Sequence, residues 1–404
     1  MRKIKTVFLS LYSLFLSLFI KRDEKRIAFG SWAGELFIDN SKYLADYALE
    51  HYLKKGYVCY WVGNEEIREK IDPRLVFVKR NSASSITTLL KCKYFFFSQI
   101  HTTDICAYNV YRDAILCFLD HGNTIKKCGA DDPEYHGQYD VDRFSLIKRM
   151  LVKISGSIIP YNYIAVSSSD NIQTYVTGYK HLVSENTKFI KSGLPRNEIL
   201  FKKDDSLRRE LKEKYSRLIG FDLNKRVIMY LPTFRRKTEK VYSFTDLPFD
   251  QMERLVLLLK EHDAIILEKN HYVANKYDCN HAESAEYVIK VDAPVDLQEM
   301  LYFTDVQICD YSGCYLDYLI LDRPIIHFLY DYVEYRDHDS GLYYDVDEFA
   351  AGAVATNVDE VIDDLTDILS SNDSYSAARK NVRDRFLEYE KGKASQIILG
   401  EILQ

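Results

Sequence analysis

The sequence predicts an α/β protein made of two halves, each a parallel sheet with helices between its strands. Three observations predict it. Short apolar runs alternate with helix-spaced segments along most of the chain, a rhythm that fits βαβ crossovers. The series runs twice, with the break near residue 200. And 404 residues are too many for one ordinary core.

Composition narrows the class. Hydrophobic content of 47% and charged content of 28% are those of a folded protein. A net charge of −6 argues against a general nucleic-acid binder. The frequent aromatics, 32 Tyr and 21 Phe, suit strand-rich cores but name no ligand. The eight cysteines (Cys59, Cys92, Cys106, Cys117, Cys128, Cys279, Cys309 and Cys314) form no CxxC pair. They read as reduced, buried thiols of a cytosolic protein and not as a disulfide frame or zinc site.

Residues 1–24 stand apart. Arg2, Lys3 and Lys5 precede an apolar run from Val7 to Ile20, and Lys21, Arg22, Lys25 and Arg26 follow it. A helix here gathers Thr6, Ser10, Ser13 and Ser17 into one hydroxyl stripe. The run is short for a span, which takes ~20 apolar residues, and no small-residue cleavage site follows. The expectation is an amphipathic helix lying on the cytoplasmic membrane surface; the alternative is a helix packed on the protein's own surface.

In the first half, 25–200, strands are predicted at 27–29, 57–62, 75–78, 94–97, 115–119, 164–166 and 188–190. Asn40 is expected to cap a helix that Gly56 ends, and Ser168 starts another. In the second half, 201–375, a charged helix over 204–218 leads into strands at 226–231, 264–267, 287–289, 306–309 and 325–328, with a helix over 358–369. Residues 376–404 are expected as helices packing back across the cleft. The default ligand site is that cleft, at the carboxyl ends of the strands.

Four polar segments follow strand ends. In Asp310-Tyr311-Ser312-Gly313 a strand gives way to a helix, so free backbone N–H groups suit a phosphate; a plain N-cap is the competing reading. In Leu119 to Lys127, His121 should project from a strand tip and can serve as a general base, or be a structural histidine. Tyr230 to Arg236 offers Thr233 and Arg235, the latter with the planar fork that fits phosphate, or else a solvated basic turn. The fourth is Glu268-Lys269-Asn270-His271-Tyr272.

These segments, in this order, resemble those of the CDP-glycerol glycerophosphotransferases of bacterial wall teichoic acid and capsule synthesis. The matching runs are His121-Gly122-Asn123-Thr124-Ile125-Lys126-Lys127, Pro232-Thr233-Phe234-Arg235, Lys269-Asn270-His271, Asp310-Tyr311-Ser312-Gly313 and Asp322-Arg323-Pro324. Gly193-Leu194-Pro195-Arg196-Asn197 and the run from Tyr330 to Asp345 agree as well. Three departures stand out: Asp120 where the family often has an aromatic, Asn123-Thr124 for Thr-Pro, and Gly313 for the second Ser of the helix start.

The resemblance implies a GT-B-like fold, two Rossmann-like domains facing across a cleft. It implies transfer of glycerol phosphate, or a related alditol phosphate, from CDP-glycerol or CDP-ribitol to a hydroxyl of a lipid-linked or polysaccharide acceptor, with CMP released. His121 is then the base, and His271 the stabiliser of the phosphate or leaving group. Gly122, Lys126, Arg196, Thr233, Arg235, Lys269, Ser312 and Gly313 are expected around the substrate, with Asp310 ordering the turn or binding a hydroxyl. No obligatory metal or other cofactor is expected. The resemblance places the protein peripherally at the cytoplasmic face of the bacterial cell membrane. Two rivals remain: another GT-B enzyme using a sugar nucleotide, and a non-catalytic membrane-bound scaffold.

Overall fold

The structure, a computed structural model, describes residues 2–237, 241–269 and 286–403. Every ladder between its strands is parallel. The first sheet contains β1 (Asp23–Gly30), β2 (Val58–Gly63), β3 (Val76–Lys79), β4 (Cys92–Phe97), β5 (Ile115–Phe118), β6 (Tyr163–Val166) and β7 (Lys188–Lys191). Its order is β3-β2-β1-β4-β5-β6-β7. The second contains β8 (Arg226–Leu231), β9 (Ala264–Glu268), β10 (Val288–Lys290), β11 (Val306–Cys309), β12 (Ile325–Phe328) and β13 (Ala353–Ala355). It runs β10-β9-β8-β11-β12-β13. Each sheet starts in its middle, winds one way for three strands, then returns to the first strand and winds the other way. The reversals fall between β1 and β4 and between β8 and β11, and a crevice opens outside the carboxyl ends there.

The strands read as continuous apolar runs because helices cover both faces; Phe95, Phe96 and Phe97 in β4 are fully buried. The predicted strands are all present, with bounds within a residue or two except that β1 begins four residues earlier, at Asp23. The reading missed β13, whose three residues Ala-Val-Ala carry little apolar signal.

One expected cap is corrected. The helix Asp39–His51 begins a residue before Asn40, with Ile38 at the cap position. Asn40 instead staples three loops: Nδ2 donates to the carbonyls of Leu119 and Asp120, at 3.2 and 2.8 Å, and Oδ1 accepts from the Arg196 N–H at 3.0 Å. These partners satisfy a buried amide, which left unpaired would cost about 1–3 kcal/mol.

The tail joins both halves. Val382 and Phe386 of the helix Ser376–Phe386 enter the second core. Ala394, Ile398 and Leu399 of the helix Ala394–Ile402 pack on Leu44 and Ala48 in the first. Between them Glu390 is buried, its Oε1 accepting from Ser167 Oγ, Leu194 N and Asn197 Nδ2.

The N-terminal helix, Arg2–Leu16, lies with its hydroxyl stripe inward: Ser10 and Ser13 are buried, and Ser10 Oγ accepts from Asn109 N at 3.2 Å. Its apolar side faces out, leaving Ile4 75% and Phe8 73% exposed. It rests against a second helix, Leu146–Ser155, which the sequence reading passed over and whose Leu146 is 83% exposed. Neither helix contains an acidic residue. Among the described residues no helix is long and apolar enough to cross a membrane. The seven described cysteines are free, all but Cys128 buried; Cys279 lies outside the described residues.

Candidate functional site

The carboxyl ends of the two sheets enclose a cavity of about 530 Å³. Its second-half wall is built on Asp310. This carboxylate follows β11, is fully buried, and accepts from the Thr233 N–H at 2.9 Å and the Thr233 hydroxyl at 2.6 Å. Arg235 Nη1 adds a third donor at 2.9 Å. The turns after β8 and β11 are thereby locked together at the switch point, and Asp310 does this as an internal ligand.

Arg235 turns into this wall. It was expected to face a phosphate, yet it is 2% exposed and does not line the cavity. Its fork also grips Asp331, at 2.6 and 3.0 Å, and lies over the rings of Tyr311, Tyr330 and Tyr335. The neighbour Arg236 lines the cavity instead, bidentate on Asp132 of the first half at 2.8 and 2.7 Å. Lys269 Nζ donates to the carbonyls of Val291 and Ala293 at 2.9 and 3.2 Å, and Lys269 is not among the residues lining this cavity. Thr233 reaches the wall, but its hydroxyl proton already serves Asp310.

Ser312 and Gly313 do line the cavity, ahead of the short helix Cys314–Tyr318. Gly313 touches the first half so closely that a Cβ would run into the carbonyl oxygen of Asn123. This explains glycine at a place where the family pattern has serine.

The first-half wall is the loop after β5. It is held by short antiparallel pairing across the cleft, with Lys127 N donating to Gly341 O at 3.1 Å and Tyr343 N to Ile125 O at 2.9 Å. Lys126 and Lys127 both reach the cavity, and neither ammonium has an ion-pair partner among the described residues. Burial lowers the Lys126 pKa, and Asp310 only partly offsets it. Gly122 takes φ 134°, and a side chain there would strike Arg196. Arg196 borders the cavity, with Nη1 on Asp39 at 3.1 Å and on the His121 carbonyl and Nη2 on Asp317 at 2.5 Å. Its Nε is buried and has no hydrogen-bond partner among the described residues.

His121 stands on the cavity wall with its side chain 49% exposed. Nδ1 lies 3.0 Å from Asp120 Oδ1, and Nε2 has no partner among the described residues. Burial in the cleft works against the charged ring, but Asp120 outweighs it and the pKa is raised above the ordinary value. His271 and Asn270 lie outside the described residues. Among the described residues no three His, Cys, Asp or Glu side chains cluster as metal ligands would.

So the cavity combines an imidazole, a helix start and two lysines that make no ion pair among the described residues, an arrangement suited to moving a proton beside a phosphate. The family profile described as CDP-Glycerol:Poly(glycerophosphate) glycerophosphotransferase matches residues 10–404. The chain belongs to this family. Glycerophosphotransferases of this kind are enzymes, and two relatives align nearly end to end. A teichoic acid poly(glycerol phosphate) polymerase of Bacillus spizizenii is 24% identical, over 99% of this chain and 98% of its own. A teichoic acid glycerol-phosphate transferase of Staphylococcus aureus is 26% identical, over 98% and 97%. The solved structure of the wall teichoic acid polymerase TagF superposes with a TM-score of 0.77 at 22% identity, covering 100% of this chain and 95% of that one. That likeness supports the GT-B-like fold, two Rossmann-like domains across a cleft.

Of the residues the sequence reading named, the fold gathers His121, Gly122, Lys126, Arg196, Thr233, Ser312 and Gly313 on one cavity. The reading missed Arg236 and Lys127 as wall residues, although both were quoted within the motifs.

Proposed function

We propose that this chain transfers glycerol phosphate, or a related alditol phosphate, from a CDP-alditol to a hydroxyl of a lipid-linked or polysaccharide acceptor. The acceptor oxygen attacks the phosphorus that bears the alditol. The bond from that phosphorus to the bridging oxygen breaks, and CMP leaves with the oxygen. The acceptor proton passes to His121 Nε2. Ser312, the Gly313 N–H, Lys126 and Lys127 meet the negative charge of the pyrophosphate. His271, from the Lys269-Asn270-His271 run, is assigned to the phosphate or the leaving group in this reading. One observation carries the reading: His121 and the Ser312–Gly313 helix start, from opposite halves, line the same cavity.

The chain acts, in this reading, at the cytoplasmic membrane surface, with the exposed apolar sides of the helices Arg2–Leu16 and Leu146–Ser155 against lipid. Their acid-free sequences favour anionic headgroups.

The test is nucleotide release in the presence of a membrane-extracted acceptor, CMP from CDP-glycerol and CDP-ribitol and UDP or UMP from UDP-sugars, with wild type and His121→Ala. A CDP-alditol should support turnover, and His121→Ala should lower it by ~10²–10⁴ as general-base catalysis demands. Preference for a UDP-sugar, or near-normal turnover by His121→Ala, overturns the reading.

A further inference from the structure

The family often carries an aromatic residue before the first histidine, and this chain carries Asp120. The structure gives that difference a use. Asp120 has left-handed backbone, φ 58°, which folds its carboxylate back over the residue that follows. Oδ1 accepts from the His121 N–H at 2.7 Å and lies 3.0 Å from ring Nδ1. The buried Tyr175 hydroxyl, from the helix Ser169–Gly178, donates to Oδ2. Asn40 holds the Asp120 carbonyl at 2.8 Å. The carboxylate is thus fixed at both oxygens and its backbone at a third point.

We infer that Asp120 is the positioning residue for the base: it holds the His121 ring through Nδ1 and presents Nε2 to the cleft. This rests on the proposed role of His121. A carboxylate beside Nδ1 selects the tautomer with a proton on that nitrogen, so Nε2 keeps its lone pair for the acceptor hydroxyl. When Nε2 takes the proton, the adjacent carboxylate stabilises the imidazolium. An aromatic at this position cannot do either.

The charges around the pair point the same way. Burial opposes the Asp120 carboxylate, but His121 and Tyr175 outweigh it, and its pKa falls below the ordinary value. His121 also faces Asp39, on the helix Asp39–His51, which favours its charged form, and Arg196, which opposes it. Tyr175 and Tyr179 keep their protons well above neutrality because burial and Asp120 both raise them. Cys128, pushed up to about 11, is likewise neutral.

The competing account is that Asp120 only closes its own turn through the His121 N–H. Nitrogen-resolved NMR of the full chain labelled with ¹⁵N-histidine separates the two, with His121→Ala assigning the resonance. In wild type, neutral His121 should show the Nδ1–H tautomer and titrate above the ordinary value. In Asp120→Asn the midpoint should fall by about one unit or more, the size of a lost neighbouring charge. Tyr175→Phe, which frees only Oδ2, should move it less in the same direction and serves if Asp120→Asn does not fold. In CMP release from CDP-glycerol, Asp120→Asn should lose on the order of 10² in kcat with KM for donor within about twofold, and the acid limb of the profile should move to lower pH. Asp120→Glu should recover part of both. A tautomer and midpoint unchanged in Asp120→Asn and Tyr175→Phe overturn the inference while leaving His121 as base. Turnover retained by His121→Ala overturns the base itself.

Discussion

Replacing Arg235 with alanine should damage the second half of the fold more than it damages substrate binding. Arg235 gives fully buried Asp310 its ion pair at 2.9 Å and holds Asp331 with two further bonds. Alanine leaves the Asp310 carboxylate in the core with only the Thr233 donors. Removing one partner of a buried pair destabilises by about 3–5 kcal/mol. In a domain of this size each kcal/mol shifts Tm by roughly 2–4 °C, so the drop should be roughly 6–20 °C. Arg236→Ala is the control. That side chain is 37% exposed, and its pair with Asp132 is of the surface kind, worth roughly 0–1 kcal/mol. The assay is a thermal melt of both variants, with and without CDP-glycerol. If Arg235→Ala melts within about 2 °C of wild type but is no longer stabilised by the nucleotide, Arg235 binds phosphate and the reasoning from burial fails.

Three other outcomes follow from the geometry. Gly313→Ala forces its Cβ against the Asn123 carbonyl and should destabilise by about 1–3 kcal/mol and slow CMP release, since Asn123 is two residues from His121; wild-type melting and turnover would show the contact to be soft. Substituting Ile4, Phe8 and Leu146 together by Glu should cut co-sedimentation with anionic vesicles tenfold or more, because each buried apolar side chain contributes about 1.5–3 kcal/mol, while Tm stays put as all three are exposed; unchanged vesicle binding rejects the lipid-facing role. Burial pushes the Glu390 carboxyl up to about 7 from 4.5, so folded Glu390 holds its proton more tightly than the unfolded chain. Its stabilising contribution is then full below about 4.5 and lost as pH rises through about 7, so Glu390→Gln should gain on wild type in Tm between about pH 5 and 8; a gap that shrinks over that range contradicts the buried carboxyl.

Much of the fold was legible because parallel strands buried on both faces write themselves as unbroken apolar runs, as Phe95–Phe97 and Ile265–Leu267 do. What escaped lacks that signature. The strand Ala353–Ala355 has almost no side chain to read. The helix Leu146–Ser155 buries no residue, so its apolar side answers to something other than the core. At the site, strand ends announced where polar groups would gather, and His121, Ser312 and Gly313 do share the cavity.

Direction was the part the sequence could not supply. Arg235 and Arg236 are the same residue type, side by side after one proline, and neighbours on extended chain point opposite ways. Which one turns inward is decided by Asp310 and Asp331, 75 and 96 residues further along. Arg196 was turned into the frame in the same way, by Asp39 and Asp317 at separations of 157 and 121 residues. A cation named by a motif therefore reaches the cavity or turns away from it according to where distant carboxylates lie. Lys126 and Lys127 were not turned away: both line the cavity with no ion-pair partner among the described residues, which is what the proposed contact with the pyrophosphate requires of them.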